Sequence, residues 1–424
     1  MQETVEFVRI KPMEDEDVEI TGFKQPSRSK IHRMVYRVSL LTFLAILAPA
    51  VLHSNDNEFF SFLFGRGAML PEPVVIEYAS LYDTVYYIAF IAGLVISPLA
   101  DNCGRRKIFI VVGSMMFVIS SFFILISPSF HIMLVFRLLQ GIFHTFAWQT
   151  LMVLVYDNSN ETNKAKSVSI HVIAIGAAMG TGTMFGGVLA ELGPQVPTWF
   201  AIGLYSLVFA LSIVLITDPT CVEHRPTVKD GFLLFKKHPS IMIPSLFNFI
   251  DRLHMGFLVS IVPLYLTYII PLSPGLRGMI FGISALPSLF MSYPVGKRSD
   301  GRWGRFKPLI GGSIAYGILL ASTGFLAGGI LPVFIIILMS LGVAQGFTTT
   351  PTSSLLGDMI SPGNHAAAIG FFNFFGNVGM ILGPLLGLAF GVHYTLAFLV
   401  AGLIELGSLA ISVFAAKHLE VLDF

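Results

Sequence analysis

The side chains best suited to chemistry in this sequence lie inside long apolar runs, where charge is costly. Asp251 and Arg252 fall about halfway along one run, with Asn248 and His254 beside them. His53, Asp56, Asn57 and Glu58 fall in the first run, Asp83 in the second and Glu405 in the last. Another run carries Arg137-Leu138-Leu139-Gln140-Gly141, and helical spacing sets Arg137, Gln140, Gly141, His144 and Trp148 along one stripe. An arginine at the centre of a membrane span costs at least about 2.5–3.5 kcal/mol, so such groups face a partner or a water-filled cavity. A carboxylate that swaps partners between two helix arrangements can take up a proton on one side and release it on the other. Asp251, the most central, is the first candidate carrier; the alternative is a static pair with Arg252, although neighbours in sequence point about 100° apart on a helix. Asp56, Glu58 and Asp83 are further candidates, with Asp56 and Glu58 otherwise solvated at a helix end. Asn373 and Asn377 join His53, Gln140, His144, Trp148, Asn248, Arg252 and His254 as candidate cavity residues.

The elements that must position these groups are legible from hydropathy. The chain has 424 residues, 54% hydrophobic and only 12% charged, against about 25% charged in soluble domains. Apolar runs cover roughly 38–63, 75–100, 108–127, 131–156, 167–191 and 198–217, then 241–269, 278–296, 308–328, 331–357, 366–391 and 394–416, each long enough to cross a bilayer. The fold class expected is an all-α polytopic membrane protein of about twelve helices. Residues 1–33 form an acidic-then-basic tail, 34–217 one six-helix bundle, 218–240 a polar linker, 241–416 a second bundle and 417–424 a short tail. An even number of spans leaves both termini on one side. Placing them in the cytoplasm gathers Arg105, Arg106, Lys107, Lys164, Lys166, Arg225, Lys229, Lys236, Lys237, Lys297, Arg298, Arg302, Arg305, Lys307 and Lys417 inside, with only Arg66 and Arg277 in outer loops. The halves also repeat: Gly141 and Gly342, Asp157 and Asp358, Gly182 and Gly383, Gly186 and Gly387, and His53 and His254 are all 201 positions apart. Such parallel repeats pack about an axis along the membrane normal, with a cavity between them near the midplane.

A charged turn, Ala100-Asp101-Asn102-Cys103-Gly104-Arg105-Arg106-Lys107, separates the second and third runs, and Gly296-Lys297-Arg298-Ser299-Asp300-Gly301-Arg302-Trp303-Gly304-Arg305-Phe306-Lys307 repeats the device. These loops resemble the G-x-x-x-D-x-x-G-R-R-K loop of the major facilitator superfamily of secondary transporters, with Ser97 in place of the leading glycine. Arg137, Gln140 and Gly141 resemble that superfamily's R-x-x-Q-G pattern. The resemblance spans about residues 34–416. It implies a gate formed by Asp101, Gly104, Arg105, Arg106, Asp300 and Arg305, and an Arg137 that tunes protonation of a nearby carboxylate. In the drug:proton antiporter branch the fifth helix carries G-P-x-x-G-G; this chain has Gly182-Thr183-Met184-Phe185-Gly186-Gly187, and carries the proline in Gly383-Pro384-x-x-Gly387 instead.

The resemblance implies a monomeric, multi-pass carrier that moves a small solute by alternating access, through proton-coupled export, with the proton gradient as energy source and no cofactor. An alternative is a transporter of a metal cation or a metal chelate such as iron, with His53, Asp56, Glu58, Asp83, Asp251 and His254 supplying ligands. A third is a non-transporting membrane sensor or assembly partner. The net charge of +1 gives no reason to expect nucleic acid. No phosphate-binding G-x-x-x-x-G-K-[ST] loop and no hydrolase grouping is present, so an enzyme is not expected. Cys103 and Cys221 imply no disulfide framework, and the acidic start does not resemble a signal peptide. Asn160-Glu161-Thr162 spells a glycosylation acceptor on the cytoplasmic side, expected to be silent. The membrane is the plasma (cell inner) membrane or an intracellular one.

Overall fold

The computed structural model describes residues 28–103, 105–159, 164–218, 228–301, 303–360, 365–419 and 421, with side chains for all of these except 28–32, 93–103, 156, 164–166, 168–169, 228 and 365–366. Gly104, Asn160, Glu161, Thr162, Cys221, Arg225, Arg302 and most of the acidic tail lie outside the described residues, as do the side chains of Asp101 and Cys103.

Twelve described helical segments are long and apolar enough to cross a membrane. The first span is α1 (Arg28–Ala50), continued after a turn by the short α2 (Asp56–Phe64). There follow α3 (Glu72–Cys103), α4 (Arg106–Leu125), α5 (Phe130–Asp157), α6 (Lys164–Leu192) and α7 (Val196–Leu215). The linker holds α8 (Val228–Lys237), whose Phe232 and Phe235 rings each lie 5.2 Å from that of Phe371. The second set is α9 (Met242–Tyr268), α10 (Pro274–Ser284) with α11 (Leu286–Ser299) as one span, α12 (Phe306–Ala327), α13 (Leu331–Asp358), α14 (His365–Phe390) and α15 (Tyr394–His418). The helices of each set pack into a six-span bundle, and the bundles meet where α6 crosses α10 and where α3 crosses α14.

Two expected continuous spans are broken. The first run, read as 38–63, opens at residues 51–55, just after Pro49. Backbone that leaves a helix at membrane depth must be held by protein. Here Ser54 Oγ donates to the Thr183 carbonyl at 2.8 Å and Asn55 Nδ2 to that of Pro194 at 2.8 Å, which fixes the turn on α6. The eighth span breaks at Ala285, ahead of Pro287, whose missing N–H cannot continue the helical ladder. It also starts earlier than read, so Arg277 is a buried helix residue and not a loop residue.

The repeat is visible in the packing. A Cβ on Gly141 would come 2.7 Å from the Tyr86 carbonyl oxygen, and one on Gly342 2.5 Å from that of Ser284. Each glycine lets the fourth helix of its bundle approach the second. Gly342→Val is therefore expected to cost about 1–3 kcal/mol through overpacking, read as a lower Tm of the detergent-purified protein.

The cores are arranged asymmetrically. Toward the end that carries the termini, each bundle has its own core: Val38, Phe117, Leu151 and Tyr205 in one, Ile241, Leu309, Leu355 and Phe371 in the other. At the opposite end a single core runs through both, from Phe60, Tyr82 and Phe130 to Phe257, Tyr265, Phe334 and Phe398.

Candidate functional site

In the N-terminal bundle α3, α5 and the 51–55 turn converge on Asp83. This buried side chain, on α3, has Oδ1 3.6 Å from His53 Nδ1 and 3.7 Å from Arg137 Nη2. Oδ2 has no hydrogen-bond partner, and neither does Arg137 Nη2. Arg137, on α5, is fully buried between the rings of Tyr82 and Tyr86, whose centroids lie 3.8 and 4.2 Å from its Cζ. Aromatic faces stabilise a desolvated cation. Nη1 donates to Gln140 Oε1 at 2.5 Å, and Gln140 Nε2 donates to Ser121 Oγ at 2.6 Å. The arginine is thus fixed by neutral partners, close enough to attract Asp83 without clamping it. A small shift of α3 against α5 would close or open this ion pair. His144 is instead bonded to the Tyr205 hydroxyl, and Trp148 packs 6.4 Å from Phe90. Asp56 is buried, and the charges of Asp83, Arg137, Glu58 and Arg277 all act on it.

In the C-terminal bundle Asp251 is half-buried on α9. Thr348 Oγ1, on α13, lies 3.0 and 3.2 Å from its two carboxyl oxygens and 3.1 Å from the Gln345 carbonyl. A hydroxyl has one hydrogen to give and can also accept. With Asp251 ionised, Thr348 donates to it; with Asp251 protonated, the carboxyl donates to Thr348, whose own hydrogen turns to Gln345. Both proton states are therefore satisfied without moving a heavy atom. Among the described residues no ion pair joins Asp251 to Arg252, which is exposed, so the static pair does not form. Asn248 donates to the Phe372 carbonyl at 2.8 Å and ties α9 to α14, where Asn373 and Asn377 are half-buried. His254 lies 3.2 Å from Glu405 on α15 through Nδ1 and 3.0 Å from the Ala401 carbonyl through Nε2. Nε2 is thereby hydrogen-bonded, while Nδ1 is within ion-pair distance of the carboxyl without making a hydrogen bond. His53 and His254 are held in different bundles, and no three His, Cys, Asp or Glu side chains are grouped to share a metal ion among the described residues.

Three of the gate residues, Arg106, Asp300 and Arg305, form ion pairs within their own bundles. Arg106 Nε lies 3.1 Å from Asp157 Oδ2, and Arg305 Nε 2.6 Å from Asp358 Oδ2. The two aspartates are the repeat-related pair of the sequence. Arg305 also bonds Asp300 and, at 3.1 Å, Ser299 Oγ. Burial works against its charge, but the bonds to Asp358 and Asp300 outweigh this and hold the guanidinium above the ordinary arginine range. Arg105 is exposed at the start of α4.

A set that sequence reasoning missed ties the two bundles at the end opposite the termini. Arg277, on α10, bonds Glu58 and Thr267; Tyr268 donates to Asn57 Oδ1 at 3.0 Å; Tyr394 donates to Glu72 Oε1 at 2.9 Å. Glu191 accepts from Ser273 Oγ at 2.7 Å and from the Gly275 N–H at 3.2 Å. Glu58 therefore serves a clamp between bundles, not a free helix end. Thr348, Tyr82 and Tyr86 were also missed, since neutral side chains in an apolar run carry no charge signal.

Comparison with known proteins agrees with this architecture. Residues 72–250 and 244–420 each match the Major Facilitator Superfamily. The quinolone resistance protein NorA of Staphylococcus aureus (strain MRSA252) is 26% identical over 386 residues, covering 85% of this chain and 95% of NorA. Multidrug resistance protein 1 of Bacillus subtilis (strain 168) is 25% identical over 343 residues, covering 78% and 87%. Among solved structures, a bacterial homolog of the human lysosomal transporter Spinster, inward-facing and unoccupied, superposes with a TM-score of 0.71 at 14% identity, over 93% of this chain and 97% of that one. The nucleoside transporter NupG gives 0.69 at 14%, over 92% and 100%.

Proposed function

Because the chain belongs to the Major Facilitator Superfamily, whose members are transporters and not enzymes, we propose that it is a proton-coupled exporter of small organic solutes working by alternating access. The observation that carries the coupling is the Asp251–Thr348–Gln345 arrangement, a midspan carboxyl whose surroundings accept both of its proton states. Asp83 supports the reading, since its loose contacts to His53 and Arg137 can be remade as helices shift. Hydrophobic organic cations are the substrate class, by likeness to proteins named for quinolone and multidrug resistance. The likeness outweighs a metal substrate, for which no ligand group is assembled among the described residues.

In this proposal both termini and the 218–240 linker are cytoplasmic, as the basic loops require. The protein works as a monomer without a cofactor, and the separated cores face the cytoplasm while the clamped end faces outward. The test uses purified protein in liposomes that hold a pH-sensitive dye, with ethidium as the transported probe. Ethidium added against a proton gradient is expected to move protons in the opposite direction. Ethidium flux with no proton movement would overturn the coupling, and absence of flux from folded protein would overturn the substrate class.

A further inference from the structure

The buried pair of His254 and Glu405 has a proton count that follows from its close contact and burial. His254 is 1% exposed and Glu405 3% exposed. Nε2 of His254 lies 3.0 Å from the Ala401 carbonyl oxygen. A carbonyl only accepts, so Nε2 must carry a hydrogen. Nδ1 then lies 3.2 Å from Glu405 Oε2, an ion-pair distance, and both atoms are buried with no hydrogen-bond partner in this arrangement. If neither carried a proton, two lone pairs would be pressed together in a buried site, one of them on a full negative charge. Such an arrangement is strongly unfavourable. The pair therefore holds one proton, either on Nδ1 with an ionised Glu405 or on Oε2 with a neutral imidazole. Both forms leave the pair with no net charge.

The surroundings connect this proton to Asp251. His254 follows Asp251 by three residues, so both lie on one side of α9. The Tyr316 ring of α12 stacks on the imidazole at 5.2 Å. The other acidic group near the pair is Asp251 on α9, where Arg252 is exposed; α15 adds only Glu405 itself, α13 carries the neutral Thr348, and α14 has no acidic or basic side chain from 367 to 390. The charge of Glu405 acts on Asp251, and both act on Tyr316. Loss of the shared proton would leave one net negative charge opposite the Asp251 carboxyl, and repulsion would then oppose ionisation of both sites together.

We propose that His254 and Glu405 form a second proton-binding site, holding one shared exchangeable proton and coupled by charge to Asp251. This rests on the proton-coupled reading above and adds a site to it. The proton passes to water when the bundle rearranges; the pair becomes imidazole and carboxylate, and no other bond is made or broken.

The test counts protons directly and needs no transport. Detergent-purified protein is titrated from about pH 5 to pH 9, and the protons bound per molecule are compared among variants. Glu405→Gln keeps a donor toward Nδ1, and His254→Gln keeps a donor toward Ala401, so either can fold if the other does not. Glu405→Gln is expected to bind one proton fewer than the wild type, whereas His254→Gln keeps the carboxyl and is expected to change the pH at which that proton is lost. The double variant is also expected to lack one and not two, the signature of a shared proton that two merely structural residues would not give. Asp251→Asn should lose a separate proton, additive with the first. An unchanged proton count in folded Glu405→Gln, an unchanged titration curve in folded His254→Gln, or a two-proton deficit in the double variant would overturn the proposal. Failure of ethidium to move protons in liposomes would leave this count readable, so the two readings fail independently.

Discussion

Asp251→Asn removes net proton movement in the liposome assay while preserving exchange of ethidium for ethidium. The asparagine amide donates to Thr348 as a protonated carboxyl would, so the variant copies the proton-loaded site in a form that cannot unload. Exchange needs only that the loaded carrier rock back and forth. Net export against a gradient requires the proton to leave, and its rate should fall to background. Thr348→Val separates coupling from charge. The valine is close in shape but leaves the carboxylate without its donor, at about 1–3 kcal/mol, or roughly a tenfold loss in coupled rate. Ethidium accumulation driven by a proton gradient in Asp251→Asn would remove Asp251 from the coupling role.

The second large effect concerns the clamp. Arg277→Met leaves the Glu58 carboxylate without its ion-pair partner across the two bundles. Breaking a buried pair in this way costs about 3–5 kcal/mol. Glu58 keeps 24% of its side chain exposed, so about 1–3 kcal/mol is a fairer figure, equivalent to a 5–150-fold shift between conformations. Spin labels at Met69 and Ile330, both exposed, with Cys103 and Cys221 changed to serine, would read the spacing of the bundles at this end. A population with a longer separation is expected in Arg277→Met. Adding Glu58→Leu should restore the short separation, since two apolar side chains no longer oppose closure. An unchanged distance distribution in Arg277→Met would show that the merged aromatic core closes this end unaided.

Much of this was legible in the sequence because the bilayer imposes a simple rule of length and polarity. The apolar runs gave twelve spans, and the constant spacing between Gly141 and Gly342 proved to mark matching close approaches in the two bundles. What stayed hidden depends on which helices face each other. Arg277 read as a loop residue because the apolar run seemed to begin after it, yet its partner Glu58 lies more than two hundred residues away. Glu405 stands alone among acidic residues in the last run, and nothing in the sequence shows that it meets His254. Thr348 gave no signal at all, since one hydroxyl among many matters only for where its hydrogen can turn. The breaks at 51–55 and at Ala285 had local markers in Pro49 and Pro287, but proline inside a span often only kinks it. Asp251, by contrast, is marked as a candidate by its charge and central position, and the fold supplies its hydrogen-bond partner, Thr348.

The fused aromatic core has a pharmacological consequence. A blocking compound that seats between the bundles and arrives from the clamped side meets a dry wall of Phe60, Tyr265 and Phe334 with its polar ties closed. It can enter only in the moments when that end parts, so its onset would quicken as the carrier turns over and would stall in an idle one. A compound approaching from the side of the termini, where the two cores are separate, faces no such wait.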